Sequence, residues 1–275
     1  MTHSDLTARL WDLAETVRVS APLVHNITNL VVQNDTADAI AAAGATQITL
    51  HNLEEAREVA ALCAAAAINL GTLNEPFLQC AREAVTVAAS LGRPWVLDPV
   101  AAGFTAYRTA AAREFLGMRP TVLKANASEI LVLAGHADGG RGAESIHSVE
   151  NAAEAARNLA RRYGSVVVVS GPQDMITDGA RGATVSNGHP LMGRMIGSGC
   201  MLTSVIGAFV AAGDSHFETA LAAVAYFGVA GELAAERADG PGTFKPLFID
   251  ALHNLGRETF DARVRVTAPA AGDGV

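Results

Sequence analysis

The sequence contains few charged and few aromatic residues: charged side chains account for 17% of its 275 residues and aromatic ones for 5%. Half of the residues are hydrophobic, which is typical of a compact globular protein and not of a disordered one. The formal net charge is −8, the isoelectric point is about 5.5, and no run of basic residues occurs. This acidic balance argues against nucleic acid as a partner.

Cysteine is also scarce, with three widely spaced residues, Cys63, Cys80 and Cys200. An odd number without disulfide-like spacing indicates a reducing compartment. No Cys-x-x-Cys and no His-Glu-x-x-His segment occurs, so the common zinc patterns are absent. The N-terminal segment carries Asp5 and Asp12, which are incompatible with a secretory signal peptide. We therefore expect a cytoplasmic protein.

The run from Met195 to Gly213 lacks charged residues and is long enough to raise the question of a membrane span. It opens with the turn Gly197-Ser198-Gly199 and contains Thr203 and Ser204. These features indicate a buried helix instead, and we expect no membrane association.

Strand-like and helix-like segments alternate from residue 22 to residue 260. Strands are predicted over residues 22–29, 45–50, 67–72, 94–99, 121–126 and 165–171, with a hairpin over 175–186. Helices are predicted over residues 4–18, 36–43, 54–67, 75–91, 126–134, 149–163, 200–212, 218–235 and 245–255. Such alternation predicts an α/β fold, with a parallel sheet and helices on both faces. We expect one domain over residues 1–267 and a disordered tail over 268–275.

Polar side chains stand at the predicted strand ends, where α/β proteins bind ligands. They are Asn26 and Thr28, then Asp98, then Lys124 with Asn126 and Glu129, then Ser170 with Gly171. Each has a structural interpretation as well, since Asn126 and Glu129 come close to a capping box and Asp98 could cap the next segment. Several such residues on one edge favour a ligand site.

A glycine-rich turn, Gly197-Ser198-Gly199, opens a helix and is followed by Cys200. The first amides of such a helix point at one spot and, with the helix dipole, suit a phosphate group. The same field is expected to lower the pKa of the Cys200 thiol. The segment therefore predicts a phosphate site with a candidate base. The alternatives are an ordinary turn and a small buried cysteine.

These groups together suit phosphoryl transfer: carboxylates for Mg²⁺, a cation and amides for phosphate, and a base. No Gly-x₄-Gly-Lys-Ser/Thr segment and no glycine-rich loop of the protein-kinase type occurs. P-loop enzymes and protein kinases are therefore excluded.

Five segments occur in order along the chain: Pro22-Leu-Val-His-Asn-Ile-Thr-Asn29, Leu97-Asp-Pro-Val100, Asn126-Ala-Ser-Glu-Ile130, Thr177-Asp-Gly179, and Asn187-Gly-His-Pro-Leu-Met192 with Gly197-Ser-Gly-Cys200. Together they resemble the hydroxyethylthiazole kinase family. The ending is specific, since most ribokinase-like enzymes have Asp where Cys200 stands. The resemblance covers residues 20–255. It implies a ribokinase-like fold, a homotrimer with active sites at subunit interfaces, and phosphorylation of 4-methyl-5-(2-hydroxyethyl)thiazole by ATP and Mg²⁺ in thiamine salvage.

The resemblance also implies a role for each matching residue. Cys200 takes the position of the catalytic base, and Gly197, Ser198 and Gly199 take that of the anion hole. Asp98 and Glu129 correspond to acidic residues near Mg²⁺, whereas Lys124, Asn126, Ser170 and Gly171 correspond to ATP-binding positions. Asn26, Thr28, Thr49 and Gly199 fall at the substrate site.

Two positions depart from the family pattern. Thr49 stands where the family has a Met that contacts the thiazole, and Lys124 stands where it has an ATP-contacting Arg. Lys keeps the charge and loses the planar fork of Arg. Two alternatives therefore remain beside a thiazole kinase. One is a kinase for a related, more polar alcohol, suggested by Thr49 and Gln47, and the other is a non-catalytic ligand-binding protein on the same fold.

Overall fold

The computed structural model of the chain describes residues 3–136 and 146–267. The expected tail over residues 268–275 lies outside the described residues. The strands are β1 (Leu23–Ile27), β2 (Thr46–Ile48), β3 (Ala65–Asn69), β4 (Trp95–Asp98), β5 (Val122–Asn126), β6 (Val166–Ser170), β7 (Asp174–Thr177), β8 (Gly182–Val185) and β9 (Val266–Thr267). The helices are α1 (His3–Ser20), α2 (Gln33–Ala42), α3 (Leu53–Leu62), α4 (Glu75–Ser90), α5 (Ala106–Gly117), α6 (Ala127–Leu133), α7 (Ile146–Tyr163), α8 (Ser198–Val210), α9 (His216–Ala235), α10 (Pro241–Asn254) and α11 (Arg257–Arg263).

These nine strands form one sheet, in the spatial order β2-β1-β3-β4-β5-β6-β7-β8-β9. The strands from β2 to β6 in this order pair in parallel, whereas β7, β8 and β9 pair antiparallel. Parallel neighbours need long crossover connections, and helices supply them here. The predicted α/β fold with a mostly parallel sheet is confirmed.

Helices cover both faces of the sheet and produce two apolar cores. One core joins the sheet to α1, α2, α8, α9, α10 and α11, and the other joins it to α3, α4, α5, α6 and α7. Val166 and Val168 of β6 belong to the first core, while Val167 and Val169 belong to the second. A strand that is apolar on both sides fits only in a sheet whose two faces are covered. The apolar run of β6 therefore allows this strand to be predicted from the sequence.

The predicted boundary between α3 and β3 is wrong. Residues 54–67 were expected to be helical, but α3 ends at Leu62 and β3 begins at Ala65. Alanine favours a helix locally, yet here it satisfies a packing requirement of the sheet. A Cβ atom on Gly207 of α8 would lie 3.3 Å from the Cβ of Ala67, so α8 approaches β3 too closely for larger side chains.

Three elements lie where no structure was predicted: α5, α11 and β9. Helix α5 begins after Thr105, whose hydroxyl accepts a hydrogen bond from the Arg108 amide at 3.2 Å. This is an ordinary N-cap. Helix α10 begins at Pro241, which suits a first helical position, rather than at the predicted Lys245.

Helix α9 has the length and apolar composition of a membrane span, but 83% of its apolar window is buried inside the protein. The run that opens with Gly197-Ser198-Gly199 forms α8, with 13 helical residues. The apolar side chains of both helices belong to the core between the sheet and its helices.

Candidate active site

The carboxyl ends of the parallel strands lie side by side along one edge of the sheet. Asn69, the last residue of β3, is in register with Asp98, the last residue of β4. In the same way Asn126 of β5 is in register with Ser170 of β6. Regular strand pairing therefore brings these polar residues to the same edge.

The Asp98 carboxylate is the most buried charge at this edge, with 1% of the residue exposed. Its Oδ2 atom accepts hydrogen bonds from Asn69 Nδ2 at 2.8 Å and from Thr203 Oγ1 at 2.7 Å. Lys124 Nζ lies 3.6 Å from the same oxygen. A buried carboxylate is stable only when paired and hydrogen-bonded, and these three groups meet both conditions.

Lys124 is buried beneath the start of α8. Burial lowers the pKa of its ammonium group, but Asp98 and Glu129, with smaller effects of Cys200 and Asp174, raise that pKa above its ordinary value. Lys124 is therefore positively charged at neutral pH. A Cβ atom on Gly199 would lie 2.9 Å from Lys124 Nζ, so glycine at this position lets the ammonium group approach the helix backbone.

The start of α8 is an open helix end that faces this charge. Gly197 adopts a left-handed conformation with φ of 89°, and a Cβ atom there would lie 2.4 Å from Val32. The left-handed φ and the close approach of Val32 each require glycine at position 197. Met201 N donates to Gly197 O at 2.8 Å, so the amides of Gly199 and Cys200 precede the first hydrogen bond of this helix. Ser198 N reaches Met195 O at 3.4 Å. The arrangement has the form of an anion site.

A cavity of about 690 Å³ opens onto the start of α8. Its polar wall contains Gly197, Ser198 and Gly199 on one side and Ser170 and Gly171 on the other. Its apolar wall is formed by Met192, Met195, Leu202, Val224 and Phe227. This volume suits a ligand of nucleotide size, and the structure thus brings the predicted anion hole and two of the predicted ATP-binding residues into one cavity.

The expected lowering of the Cys200 pKa is wrong. Burial raises the pKa of the thiol, and the neighbouring Asp98 raises it further. Lys124, Asn69 and Asn29 act in the opposite direction but do not reverse the shift. The helix end is as predicted, but the sequence did not reveal that the sulfur would be partly buried near the Asp98 carboxylate. In the free protein the thiol is therefore protonated at neutral pH.

Glu129 and Asn126 form the capping box that was considered as their structural interpretation. Asn126 Oδ1 accepts from Glu129 N, and Glu129 Oε2 accepts from Asn126 N, each at 2.9 Å. Glu129 Oε1 accepts from Ala101 N at 2.7 Å. Burial, followed by Asp98, raises the pKa of Glu129. The carboxylate thus joins α6 to the loop after β4, and its role at a metal ion stays a prediction.

The predicted substrate residues form an internal network. Asn26 is fully buried, donates to Thr36 at 2.9 Å and Thr49 at 3.2 Å, and accepts from Ser204 at 2.9 Å. The Thr49 hydroxyl in turn donates to Gln47 Oε1 at 2.7 Å. Asn26 therefore connects β1 to α2, to the residue after β2 and to α8, and direct contact with a substrate stays a prediction.

Thr28 is the second predicted substrate residue at the end of β1. Its hydroxyl is buried and has no hydrogen-bond partner among the described residues. An unpaired buried hydroxyl is costly, so it is a candidate for a contact with bound ligand.

Magnesium fits the carboxylates present. Among residues 3–136 and 146–267, no group of three or more His, Cys, Asp or Glu side chains could hold a metal ion. A Mg²⁺ ion in a kinase site commonly takes only one or two carboxylates and completes its shell with phosphate oxygens and water. Asp98 is close enough to Glu129 to raise the pKa of the Glu129 carboxyl, so the two carboxylates lie near each other.

Three residues of the site were not predicted. Asn69 fell inside the predicted strand 67–72, so its position at a strand end was not visible. Thr203 was noticed only as a polar residue on an apolar helix. Asp174 lines the cavity and accepts from Gly171 N at 2.9 Å, and burial raises its pKa to about 6. The signal for Asp174 was its place shortly after β6, the strand that is apolar on both sides.

The covered sheet and the helix that opens onto its strand ends define a ribokinase-like protein. The structure aligns with a ribokinase-like superfamily protein from Enterococcus faecalis with a TM-score of 0.59. The alignment covers 84% of this chain and 86% of that chain at 15% sequence identity, so it shows the fold alone.

Sequence comparisons identify the family of this chain among proteins with this fold. A profile of the hydroxyethylthiazole kinase family matches residues 14–258. The chain is 48% identical to a hydroxyethylthiazole kinase of Cereibacter sphaeroides over 254 residues, which are 92% of this chain and 97% of that protein. The solved hydroxyethylthiazole kinase protein of Pyrococcus horikoshii is 37% identical, with a TM-score of 0.88 over 94% of this chain and 98% of that one. The chain belongs to the hydroxyethylthiazole kinase family, and the resemblance inferred from its motifs is confirmed.

The buried pair Asp98 and Lys124 generates a stability prediction. We expect Lys124→Met and Asp98→Asn each to lower the free energy of unfolding by about 3–5 kcal/mol, because each leaves an uncompensated buried charge. The double variant should lose less than the sum, since neither charge is then unpaired. Urea denaturation of the four proteins measures this coupling.

The exposed pair Arg57 and Glu83 provides the matched control. Arg57→Met should change the free energy of unfolding by no more than about 1 kcal/mol. Strict additivity of the Asp98 and Lys124 substitutions would show that the two charges do not stabilise each other.

Proposed function

We propose that this protein transfers the terminal phosphoryl group of ATP, with Mg²⁺, to the hydroxyl of 4-methyl-5-(2-hydroxyethyl)thiazole, a reaction of thiamine salvage. The observation that carries the proposal is the meeting of three groups at the start of α8, whose residues Gly197, Ser198 and Gly199 line the cavity. The open end of α8 offers amides for phosphate, Lys124 supplies a fixed positive charge beneath them, and Asp98 supplies a buried carboxylate. Family membership supports the choice of alcohol.

Phosphoryl transfer depends mainly on positioning and on charge, and this site is built for both. We propose that the amides of Gly197, Ser198 and Gly199 bind oxygens of the transferred phosphoryl group, with Ser198 N giving up its long contact with Met195 O when phosphate binds. Lys124 lies fixed beneath Gly199, so its charge acts on the developing negative charge without reorganisation. The apolar wall around Phe227 and Val224 suits the nucleotide base.

Asp98 and Glu129 are the residues that we propose to hold Mg²⁺. When bound, the ion would neutralise charge on the phosphate oxygens. Hydrogen bonds from Asn69 and Thr203 fix the orientation of the Asp98 carboxylate, whether it faces Lys124 alone or a metal ion as well. Glu129 keeps its orientation through two backbone amides, so neither carboxylate needs to find its rotamer when ligands arrive.

The geometry gives no support to the more polar alcohol as substrate. That alternative was based on Thr49 and Gln47, but their side chains bind each other at 2.7 Å and Thr49 also accepts from Asn26. Thr49 therefore has its polar atom directed at the protein. We propose that the methyl side of Thr49 takes the place of the apolar contact that Met makes in relatives.

Product analysis with purified protein tests the function. We expect ATP- and Mg²⁺-dependent conversion of 4-methyl-5-(2-hydroxyethyl)thiazole to its phosphate, detected by mass spectrometry. A panel of thiazole and pyrimidine alcohols, each at the same concentration, measures the choice of acceptor. A faster reaction with a more polar ring would favour the alternative kinase. ATP turnover absent with every alcohol would favour a ligand-binding protein.

Cys200 is proposed as the base that accepts the proton of the substrate hydroxyl. Because its pKa is raised, the reactive thiolate is scarce at neutral pH and increases with pH. We expect kcat of the wild type to rise with pH. Cys200→Ala should lower kcat by roughly 10²–10⁴, with little change in KM. Cys200→Asp should retain substantial activity at neutral pH, because a carboxylate can accept the same proton.

The pH profile separates this role from simple packing. If Cys200 only fills space, alanine at this position would be nearly silent from pH 6 to 9. Aspartate would then be the damaging change, because it places a second carboxylate near Asp98. If Cys200→Ala keeps its activity and Cys200→Asp loses it, Cys200 is not the base.

We also propose a homotrimer in which each active site lies at a subunit interface. Three apolar side chains next to the site support this proposal because they are exposed in the single chain. Leu30 is 63% exposed, Val31 65% and Ile196 76%. Their two segments meet where Gly197 packs against Val32. Sedimentation equilibrium at micromolar concentration should give three times the chain mass of 28.4 kDa, and Val31→Asp should lower it. A monomeric wild type would contradict the shared site.

The described cysteines, Cys63, Cys80 and Cys200, are free thiols. We propose that the protein acts in the cytoplasm, whose reducing environment preserves such thiols.

A further inference from the structure

Two asparagine side chains link the Cys200 thiol to the Asp98 carboxylate. Asn29 Nδ2 lies 3.4 Å from Cys200 Sγ and donates to Asn69 Oδ1 at 2.9 Å. Asn69 Nδ2 donates to Asp98 Oδ2 at 2.8 Å. Asn29 and Asn69 are 5% and 2% exposed, so water does not compete for these bonds.

Backbone amides fix which way each carboxamide points. Val31 N donates to Asn29 Oδ1 at 3.1 Å, and Gly71 N donates to Asn69 Oδ1 at 3.0 Å. An amide can donate only to the oxygen end of a carboxamide. The nitrogen ends must therefore face Cys200 and Asp98, and neither side chain can flip without losing a backbone partner.

Packing also restrains Asn29. A Cβ atom on Gly71 would lie 2.6 Å from the Asn29 Cβ and 2.7 Å from Nδ2. Gly71 has no left-handed φ to explain its presence, so the close approach of Asn29 is the reason for glycine at this position. The Asn29 carboxamide is thus held between a glycine, a backbone amide and a second carboxamide.

We propose that Asn29 and Asn69 are positioning residues for the phosphoryl transfer. Asn29 directs an N–H at the Cys200 sulfur, where it stabilises the thiolate that forms when the thiol loses its proton. Asn69 directs an N–H at Asp98 Oδ2 and holds that carboxylate in one rotamer. A single chain of donors thereby keeps the proposed base and the proposed metal ligand in a fixed relation.

The catalytic part of this inference rests on the proposed kinase function, but the thiolate part does not. Asn29→Asp keeps the shape and the oxygen that binds Val31 N, and removes the donor to Cys200. Asn69→Asp likewise keeps the oxygen for Gly71 N and removes the donor to Asp98. Gly71→Ala adds no charge and displaces the Asn29 carboxamide, so it separates loss of the donor from added negative charge.

Two matched controls make the same chemical changes elsewhere. Asn74 caps α4 through its oxygen alone, accepting from Phe77 N at 2.9 Å, so Asn74→Asp preserves its function. Gly117 has open space where a Cβ atom would stand, so Gly117→Ala is the counterpart of Gly71→Ala.

The first readout is the rate at which iodoacetamide alkylates Cys200 in the free protein, followed by peptide mass at pH 7 to 9. Burial raises the pKa of Cys63 and Cys80, each to about 11, so these thiols should react slowly. We expect all three test variants to slow alkylation of Cys200 by at least about 10-fold, and both controls to match the wild type. This readout holds even if the wild type phosphorylates no alcohol.

The second readout is kcat and KM with ATP and the thiazole alcohol. We expect kcat to fall about 10–100-fold in the test variants, the usual effect of losing a group that orients a catalytic one, with KM little changed. Thermal unfolding shows whether each variant is folded at the assay temperature. Test variants with a lower melting temperature but with alkylation and kcat within about two-fold of wild type would overturn the inference. The two asparagines would then only connect strand ends.

Discussion

The pairing of a buried carboxylate with a buried ammonium group is the constraint on which the site depends. Asp98 and Lys124 lie on neighbouring strands at the interior of the sheet, where an isolated charge would be costly. Lys124 is kept charged by Asp98 and Glu129 against the effect of burial. Its charge is then available directly beneath the α8 backbone. The pair therefore explains how a site for polyanionic phosphate can exist at the edge of an apolar core.

Small residues make this arrangement possible because they let backbone and side chains approach closely. Gly199 admits the Lys124 ammonium group, Gly197 admits Val32, and Gly71 admits Asn29. Ala67 of β3 and Gly207 of α8 do the same for the packing of the helix on the sheet. Close packing thus brings the start of α8 onto the carboxyl ends of the parallel strands. A methyl group added at Gly71, Gly197 or Gly199 would change the site.

Much of this architecture follows from the sequence, because periodicity and strand-end residues are local properties. β6 and the hairpin of β7 and β8 were predicted, as were the polar ends of β4 and β5. The start of β3 was not, since its alanines favour a helix, and the close approach of α8 that accounts for Ala67 is not visible in the sequence. The Cys200 pKa was predicted in the wrong direction for a similar reason: the helix end is local, but burial beside Asp98 comes from three elements that are distant in sequence.

The claim that phosphate binds at the α8 amides, with the Lys124 charge beneath them, is tested most directly by a crystal structure with Mg²⁺ and a non-hydrolysable ATP analogue. We expect the terminal phosphate at the amides of Gly197, Ser198 and Gly199, within hydrogen-bonding distance of Lys124 or one water away. We expect the metal ion on the side of Asp98. A nucleotide bound with its phosphates directed away from the start of α8, or a terminal phosphate out of reach of Lys124, would contradict it.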